Sequence, residues 1–437
     1  MKPEFLLSTK WADPCIGSPE LRQTSALIRI EFGDNIATRA DNEWSGSIVT
    51  EPYLSAYPLA VWFASSWWRL RWEPASDKEP SSSWRMAHET AAAGYGFIWP
   101  RLSFASEGNS LSVTCRSTEN VAAEPLRYLS RFHTSVPAPT FERVIDDFIS
   151  LVLARLNDVG IVASELHSLW REVLEERNDP EASFYRKMEA MLGFEPDEAP
   201  ETMLARLRDI SITAGEAAIS EIAPVCSGPS PADTLNHVIS LSNEVGLLGK
   251  IQPPASLLRT VQTQDLVNCP PWERGWSLAR QVRSTLGIPA GPVDDRILRE
   301  IFSLPQGVLL RNTSNGNIAP LGLAIREGAG DDLKLLFRKR NRTGGRFEAA
   351  RILADHLTAP NSDCWLPLTE TKTARQKIQR AFAVEFLCPI EELQSRVDGR
   401  YSDEALDEAG EHYGVSPLAI RSLLVSNGLL PQDVLQA

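Results

Sequence analysis

The stretch from Leu333 to Pro389 constrains the fold of this chain more than any other part of the sequence. It reads as a strand, LKLLFRKRN, then a turn, RTGG, and a helix, RFEAARILADHL. After an insertion, a second helix follows, ARQKIQRAFAVEFLCP. The leucine-rich segments GVLLRN and LGLAIREG lie just upstream and predict two further strands. The order therefore predicts a small sheet that precedes a pair of helices.

The pairing of an RF..AR.LAD.L helix with a later AFAVEFLCP helix resembles the ImmA/IrrE family of zinc-dependent peptidases. In that family the first helix reads roughly F-x-x-A-H-E-x-x-H. Its two histidines, four residues apart, leave one helix face toward the same metal. The glutamate acts as general base toward the metal-bound water. The resemblance runs from Trp272 onward and implies this peptidase fold for the last third of the chain.

The same alignment implies that the chemistry of the family has been lost. Laid on Phe347 and Ala350, the pattern puts Arg351 and Asp355 at the histidine positions and Ile352 at the position of the base. A guanidinium cannot ligate zinc, and an isoleucine cannot accept a proton. We therefore expect no metal, no other cofactor and no catalytic residue.

The second helix and the changed positions leave several alternatives open. The alignment puts Gln376 where a metal-binding glutamate belongs, although Glu385 lies further along that helix. Arg351 and Asp355 are four residues apart, so an ion pair could fill the space of the zinc; alternatively, both are ordinary exposed charges. A third possibility is a metal held by Asp355 or His356 with Glu385. Adjacent helical residues point about 100° apart, which strains shared ligation.

A dense group of cations lies on and after the predicted strand. Its members are Lys334, Arg338, Lys339, Arg340, Arg342 and Arg346. Such a patch could receive phosphates or an acidic protein surface. Alternatively, it protects a solvated edge strand from aggregation. The formal net charge of −13 argues against a protein that coats nucleic acid by bulk electrostatics.

The rest of the chain predicts an α+β multidomain protein with three regions. Residues 1–135 form a tryptophan-rich domain of mixed strands and helices, 136–265 a helical domain, and 266–437 the peptidase-like domain. Seven tryptophans of the first region either line a binding groove or fill its core, and the core is the favoured interpretation. These are Trp44, Trp62, Trp67, Trp68, Trp72, Trp84 and Trp99.

The C-terminal segment predicts two helices around Gly414-Val415-Ser416, with Ser416 as N-cap of the second. This arrangement resembles a helix-turn-helix. The first of these helices is rich in acidic residues and the second offers only Arg421, which argues against DNA docking. In ImmA/IrrE relatives a similar tail belongs to the peptidase fold.

These observations favour a catalytically inactive regulatory or protein-interaction factor. Relatives in the resembled family act on helix-turn-helix repressors, so the resemblance implies a protein partner in a stress, phage-defence or toxin-antitoxin type module. We expect an extended peptide to add to the edge of the strand before Phe347. The alternatives are an active metallopeptidase with non-standard ligands and a nucleic-acid-binding factor that uses the basic strand. The sequence shows neither a secretion signal nor a membrane-spanning run, which predicts a cytoplasmic protein without membrane contact.

Overall fold

The chain folds into two compact units, Met1–Leu204 and Ala205–Ala437. The computed structural model describes residues 4–75, 79–119, 125–251, 269–312, 319–328 and 332–431. Both units mix helices with small sheets, as the predicted α+β class requires. The predicted boundary at 135/136 falls inside β10 of the N-terminal unit, and the one at 265/266 lies outside the described residues. The predicted three regions therefore do not coincide with these two units.

The N-terminal unit contains three small antiparallel sheets and seven helices in its described part, and an eighth helix begins there. The strands are β1 Leu6–Trp11, β2 Ser25–Phe32, β3 Asn35–Ile36, β4 Ala40–Asn42, β5 Ser47–Val49, β6 Tyr53–Ser55, β7 Arg101–Ser106, β8 Ser110–Arg116, β9 Leu126–Tyr128 and β10 Phe132–Pro137. The helices are α1 Pro19–Gln23, α2 Ala56–Ser65, α3 Trp67–Trp72, α4 Ser82–His88, α5 Ala138–Asp158, α6 Glu165–Asn178, α7 Pro180–Leu192 and α8 Glu201–Ala214, with a 3-10 turn at Thr90–Ala93. Strand β2 joins β1, β3 and β6; β8 lies between β10 and β7; β4 lies between β5 and β9.

The core of this unit follows from two sequence periods. Alternate residues of β2 are buried, among them Ile28 and Ile30, because successive side chains of a strand point to opposite faces. Helix α5 buries a stripe with helical spacing that includes Phe141 and Phe148. Aromatic rings join these two surfaces: the ring centroid of Phe104 lies 6.3 Å from that of Phe32 in β2 and 5.4 Å from that of Phe141 in α5.

The core interpretation of the tryptophans is confirmed for four of the seven. Trp62, Trp67, Trp68 and Trp99 are each exposed by 5% or less, whereas Trp44 is 85% exposed. Ser66 separates α2 from α3.

The C-terminal unit contains one four-stranded antiparallel sheet and the remaining helices. The strands are β11 Leu247–Lys250, β12 Gly322–Glu327, β13 Asp332–Leu336 and β14 Trp365–Leu368. The helices are α9 Glu216–Ile222, α10 Pro231–Ser242, α11 Pro271–Thr285, α12 Asp295–Ile301, α13 Arg342–Thr358, α14 Ala374–Leu387, α15 Ile390–Val397, α16 Asp403–Tyr413 and α17 Pro417–Ser426, with a 3-10 turn at Ala223–Cys226. No helix among the described residues is long and apolar enough to cross a membrane.

The sheet has the order β11-β13-β12-β14. The predicted strands LGLAIREG and LKLLFRKRN are confirmed as β12 and β13, but the prediction at GVLLRN is wrong because 307–312 contains no strand. Strand β13 lies between β11 and β12, so both of its edges are already paired. The predicted edge strand is therefore an interior strand, because LLGK, far upstream in the sequence, supplies β11. Strand β14, inside the presumed insertion, was not predicted.

Helix α13 packs on β12 and β14, α14 packs on α13, and α11 packs on α14. Helix α11 crosses α14 at Gly275, where a Cβ atom would lie only 2.6 Å from the carbonyl oxygen of Ile378. The predicted C-terminal helix pair is also present as α16 and α17. Gly414 ends α16 with a φ of 64°, and the Ser416 hydroxyl accepts a hydrogen bond from the amide of Ala419, which confirms the predicted N-cap.

Candidate functional site

Helix α13 buries four charged side chains, three of them at positions that the sequence singled out. Arg346, Arg351 and Asp355, together with Glu348, are each exposed by 3% or less. Ile352 lies among them in the hydrophobic core, fully buried. A helix that is covered on most sides must satisfy each of these charges from neighbouring elements. The partners come from α12, α14, the α16–α17 junction and the segments that follow β13 and β14.

Arg351 bonds to neutral acceptors of α14 and of the segment that precedes it. Its Nη2 donates to the Thr369 carbonyl oxygen at 2.7 Å and to the side-chain oxygens of Gln376 and Gln379 at 2.6 and 3.2 Å. Gln376 also accepts from the Thr369 amide at 3.0 Å and donates to the Pro367 carbonyl at 3.0 Å. The alignment positions 351 and 376 are therefore in direct contact, through an amide and a guanidinium.

The charge state of Arg351 is set by its surroundings. Burial, together with the nearby cation Arg380, lowers the pKa of Arg351 to about 10, so the side chain remains a cation at neutral pH. Its Nε is buried and has no hydrogen-bond acceptor among the described residues. Arg351 thus carries a buried positive charge with one unused donor.

Asp355 is held by Arg375 of α14, not by Arg351. Nε and Nη2 of Arg375 donate to the two carboxylate oxygens of Asp355, each at 2.8 Å, and its Nη1 donates to Asp363 at 2.6 Å. Burial alone would lower the pKa of Arg375, but the pairing with Asp355 raises it. The predicted Arg351–Asp355 ion pair is wrong, since the planar fork of Arg375 satisfies both oxygens of Asp355. The alternative of two exposed charges is wrong as well, because both side chains are buried.

Glu385, like Asp355, is a buried carboxylate that pairs with an arginine. It is 1% exposed, and its carboxylate accepts from Nε of Arg280 at 2.7 Å and from the amide of Ile390 at 3.2 Å. Both carboxylates that the sequence offered as alternative metal ligands, Asp355 and Glu385, are therefore paired with an arginine. Across the described ranges, no group of three or more His, Cys, Asp or Glu side chains is placed to hold a metal ion.

The cations of the predicted patch do not form one exposed surface. One of them is buried, and several pair with nearby carboxylates. Arg346 is buried and donates to Asp295 and, at 2.5 Å, to the Val293 carbonyl oxygen. Arg342 makes a two-point contact with the same carboxylate, at 2.8 and 3.0 Å. The prediction that Arg346 belongs to an exposed patch is therefore wrong, because its side chain is buried and bonded to Asp295 of α12.

The other four cations of the predicted patch also differ from one another. Lys334 donates to the Ser242 carbonyl oxygen at 2.8 Å, and Arg338 pairs with Glu370. Lys339 and Arg340 are exposed, and the Lys339 ammonium lies 4.0 Å from Glu370. Acidic side chains thus neutralise much of a surface that looks basic in the sequence.

A groove opens above Arg351, between α13, α14 and the α16–α17 junction. Its first half is a cavity of about 860 Å³ that is lined by Phe347, Arg351, Arg380 and Ser416, among others. Its second half, about 440 Å³, shares Phe347, Arg380 and Ser416 with the first half and continues to Trp272 and Trp276. We call the two halves together the α13–α17 groove.

The two halves of the α13–α17 groove differ in chemistry. The first half is lined by cations and by four acidic residues, Glu348, Glu370, Asp407 and Glu411. The second half combines the half-buried Trp272 and Trp276 with Leu418, which is 62% exposed. Among the described residues, no acidic side chain lines this second half. The groove therefore offers one end with charges of both signs and another end where aromatic and aliphatic side chains lie beside two cations, Lys377 and Arg380.

The sequence did not single out several residues that organise this site. They are Glu221, Asp363, Thr369, Arg375 and Gln379. One signal was present: Gln376 and Gln379 are three residues apart in the predicted helix, which puts two amides on the same helix face. The partners Asp363 and Glu221 lie in other elements, and no local pattern marks them.

No protein-family model, curated protein or solved structure matches the chain. The chemistry of the groove must therefore be inferred from its own side chains. A buried guanidinium, backbone and amide hydrogen-bonding groups, and an aromatic wall can hold a ligand that is partly polar and partly apolar.

Proposed function

We propose that this chain is a regulatory protein-interaction factor that binds a peptide segment of another protein in the α13–α17 groove and does not hydrolyse it. One observation carries the proposal. At the two positions where the resemblance to ImmA/IrrE peptidases implies zinc-binding histidines, Arg351 and Asp355 are held by α14 side chains, while the groove above Arg351 stays open. The resemblance thus supplies a substrate-binding cleft, and the side chains beneath it lack the family's metal chemistry.

The form of the groove supports a peptide as the ligand. Each half has the volume of a typical ligand pocket, and the two adjoin at Phe347 and Arg380, which line both. Tryptophan and leucine side chains in the second half are suited to cover a large side chain of a partner. The peptide lies in the groove instead of adding to β13, because both edges of β13 are occupied.

The resemblance also guides the choice of partner. Since members of the ImmA/IrrE family act on helix-turn-helix repressors, we propose that the partner is a regulator or a component of a stress, phage-defence or toxin-antitoxin type module. We propose that the two proteins bind each other in the cytoplasm. The nucleic-acid alternative has less support, because Arg338, Arg342 and Arg346 are already paired with carboxylates.

The test selects peptides from a random-sequence display library on the purified full chain and measures their affinity by titration. A groove variant, Leu418→Asp, is compared with Leu309→Asp, which changes an exposed leucine outside both cavities. We expect the first variant to lose binding and the second to retain it. Mass spectrometry of the peptide after incubation with the protein and zinc is expected to show it intact. Equal binding by both variants, or cleavage that a chelator stops, would overturn the proposal.

A further inference from the structure

Arg351 differs from the other buried arginines of α13 and α14 in its partners. Arg346 pairs with Asp295, and Arg375 pairs with Asp355 and Asp363. All three hydrogen bonds of Arg351 leave from Nη2 and end on neutral oxygens. A buried cation is normally compensated by a carboxylate, and here none among the described residues is bonded to it.

The guanidinium of Arg351 lies at the cavity. Arg351 is 3% exposed and lines the first half of the α13–α17 groove. Its Nε has no acceptor within the described ranges but is too buried for a ligand to reach, and Nη2 makes all three hydrogen bonds. A ligand in the cavity therefore meets the guanidinium through Nη1, which makes none of these bonds.

Two helix starts add positive potential at the same cavity. The first turn of α13 contributes Asn341, Thr343 and Gly344 to the lining, and the first turn of α17 contributes Ser416 and Pro417. Backbone amides at the start of a helix favour a negative charge. Both helices are longer than two turns, and both N-cap side chains accept an amide hydrogen bond, from Gly344 and Ala419.

The charge balance of the lining selects among anions. Glu348, Glu370, Asp407 and Glu411 line the same cavity, so an anion with two charges, such as phosphate, meets strong repulsion there. Burial raises the pKa of Glu348; burial acts the same way on Glu370, but the charges of Arg351 and Arg338 hold the pKa of Glu370 below its ordinary value. A carboxylate carries a single charge, and its planar pair of oxygens matches a guanidinium.

We propose that Arg351 is a carboxylate-binding residue, which takes a carboxylate of the bound peptide at the floor of the groove. This inference rests on the peptide-binding function proposed above and deepens it. The carboxylate comes from an Asp or Glu side chain or from the peptide C-terminus. Because the groove continues past Phe347 to Trp272 and Trp276, the preferred peptide has large apolar side chains next to its acidic group.

The experiment uses the full chain and the selected peptides, each made in three forms. One form has a free C-terminus, one a C-terminal amide, and one has Asp and Glu replaced by Asn and Gln. Affinity for wild-type protein is expected to fall about tenfold to a hundredfold in the form that removes the bound carboxylate, which is the usual effect of losing a charged hydrogen bond. The form that weakens binding identifies whether the C-terminus or a side chain is the source.

The protein side of the cycle uses Arg351→Gln, with Arg296→Gln, at an exposed arginine outside both cavities, as matched control. We expect Arg351→Gln to bind all three peptide forms with the same reduced affinity, and Arg296→Gln to discriminate among them as wild type does. If wild-type protein binds the three peptide forms equally, the carboxylate proposal fails. This comparison uses wild-type protein alone, so it remains valid even if Arg351→Gln does not fold. That failure is distinct from failure of the groove itself, which Leu418→Asp reports separately.

Discussion

The core of the N-terminal unit and the α13–α14 pair of the C-terminal unit bury their large side chains in different ways. In the first, aromatic rings pack on one another: Trp67 meets Trp170 edge-on at 5.6 Å and Phe141 in a stacked arrangement. In the second, Arg351 and Arg375 are fixed by directional bonds to named oxygen atoms. The stability of the aromatic core depends on the apolar area that it buries. The stability of the α13–α14 pair depends on hydrogen-bond partners that must all be present.

This difference shows that residue type alone does not locate a binding surface. The tryptophans offered a possible ligand groove, yet four of the seven lie in the core, as the favoured interpretation predicted. The cations near β13 looked like a surface patch, yet Arg346 is buried and Arg338 is mostly covered. A side chain is buried when the fold supplies its partner, and partners such as Asp295 come from distant parts of the chain.

The largest expected effect is on the directional network, through Arg375→Met. The change leaves Asp355 and Asp363 buried without their cation, so we expect a loss of about 3–5 kcal/mol in unfolding free energy. Chemical denaturation measures it, with hydrogen exchange in α13 and β14 as a local probe. The control, Arg296→Met, removes a pair that is exposed on both sides and should change little. Equal losses for the two variants would contradict the network.

The aromatic core should tolerate a partial change better. In Trp67→Phe an aromatic ring remains, so we expect a loss of about 2 kcal/mol, mainly from the volume that is vacated. The matched control is Trp44→Phe, at a position 85% exposed, with almost no effect expected. Thermal denaturation of both variants checks this, and a loss at position 67 as large as that of Arg375→Met would remove the contrast between the two regions.

Arg351→Met should destabilise the protein less than Arg375→Met. No carboxylate loses its partner, and Gln376 keeps its bonds to Thr369 and Pro367, so the expected loss is about 1–2 kcal/mol. Denaturation of the two variants side by side measures the difference. A loss at position 351 that equals the loss at 375 would mean that Arg351 has a structural role of the same kind.

The smallest effect is a dependence on pH. Burial raises the pKa of Glu221, and the charge of Arg375 only partly offsets this. The folded state thus favours protonated Glu221. The contribution of Glu221 to folding stability is complete below its unfolded-state pKa of about 4.3, and it is lost as pH rises through its folded-state pKa. Glu221→Gln should therefore gain stability relative to wild type as pH rises above about 4.3. Melting temperatures across this range test it, with the exposed Glu244→Gln as a control that should show no such trend.

Local signals in the sequence predicted much of the fold around the groove. The alternation in β2, the leucines of β12 and β13, and the Ser416 N-cap are all encoded within a few residues. The alignment also brought Arg351 and Gln376 together. The features that could not be predicted depend on pairing between distant segments. The segment LLGK forms β11 and pairs with β13, which makes β13 an interior strand, and Asp355 pairs with Arg375 instead of Arg351.

The most direct test of the central claim follows one selected peptide on the full chain in the presence of zinc, with affinity and peptide mass recorded together. The account predicts saturable binding that Leu418→Asp abolishes, and a peptide mass that does not change. Shortened peptide products that disappear when zinc is chelated would contradict it.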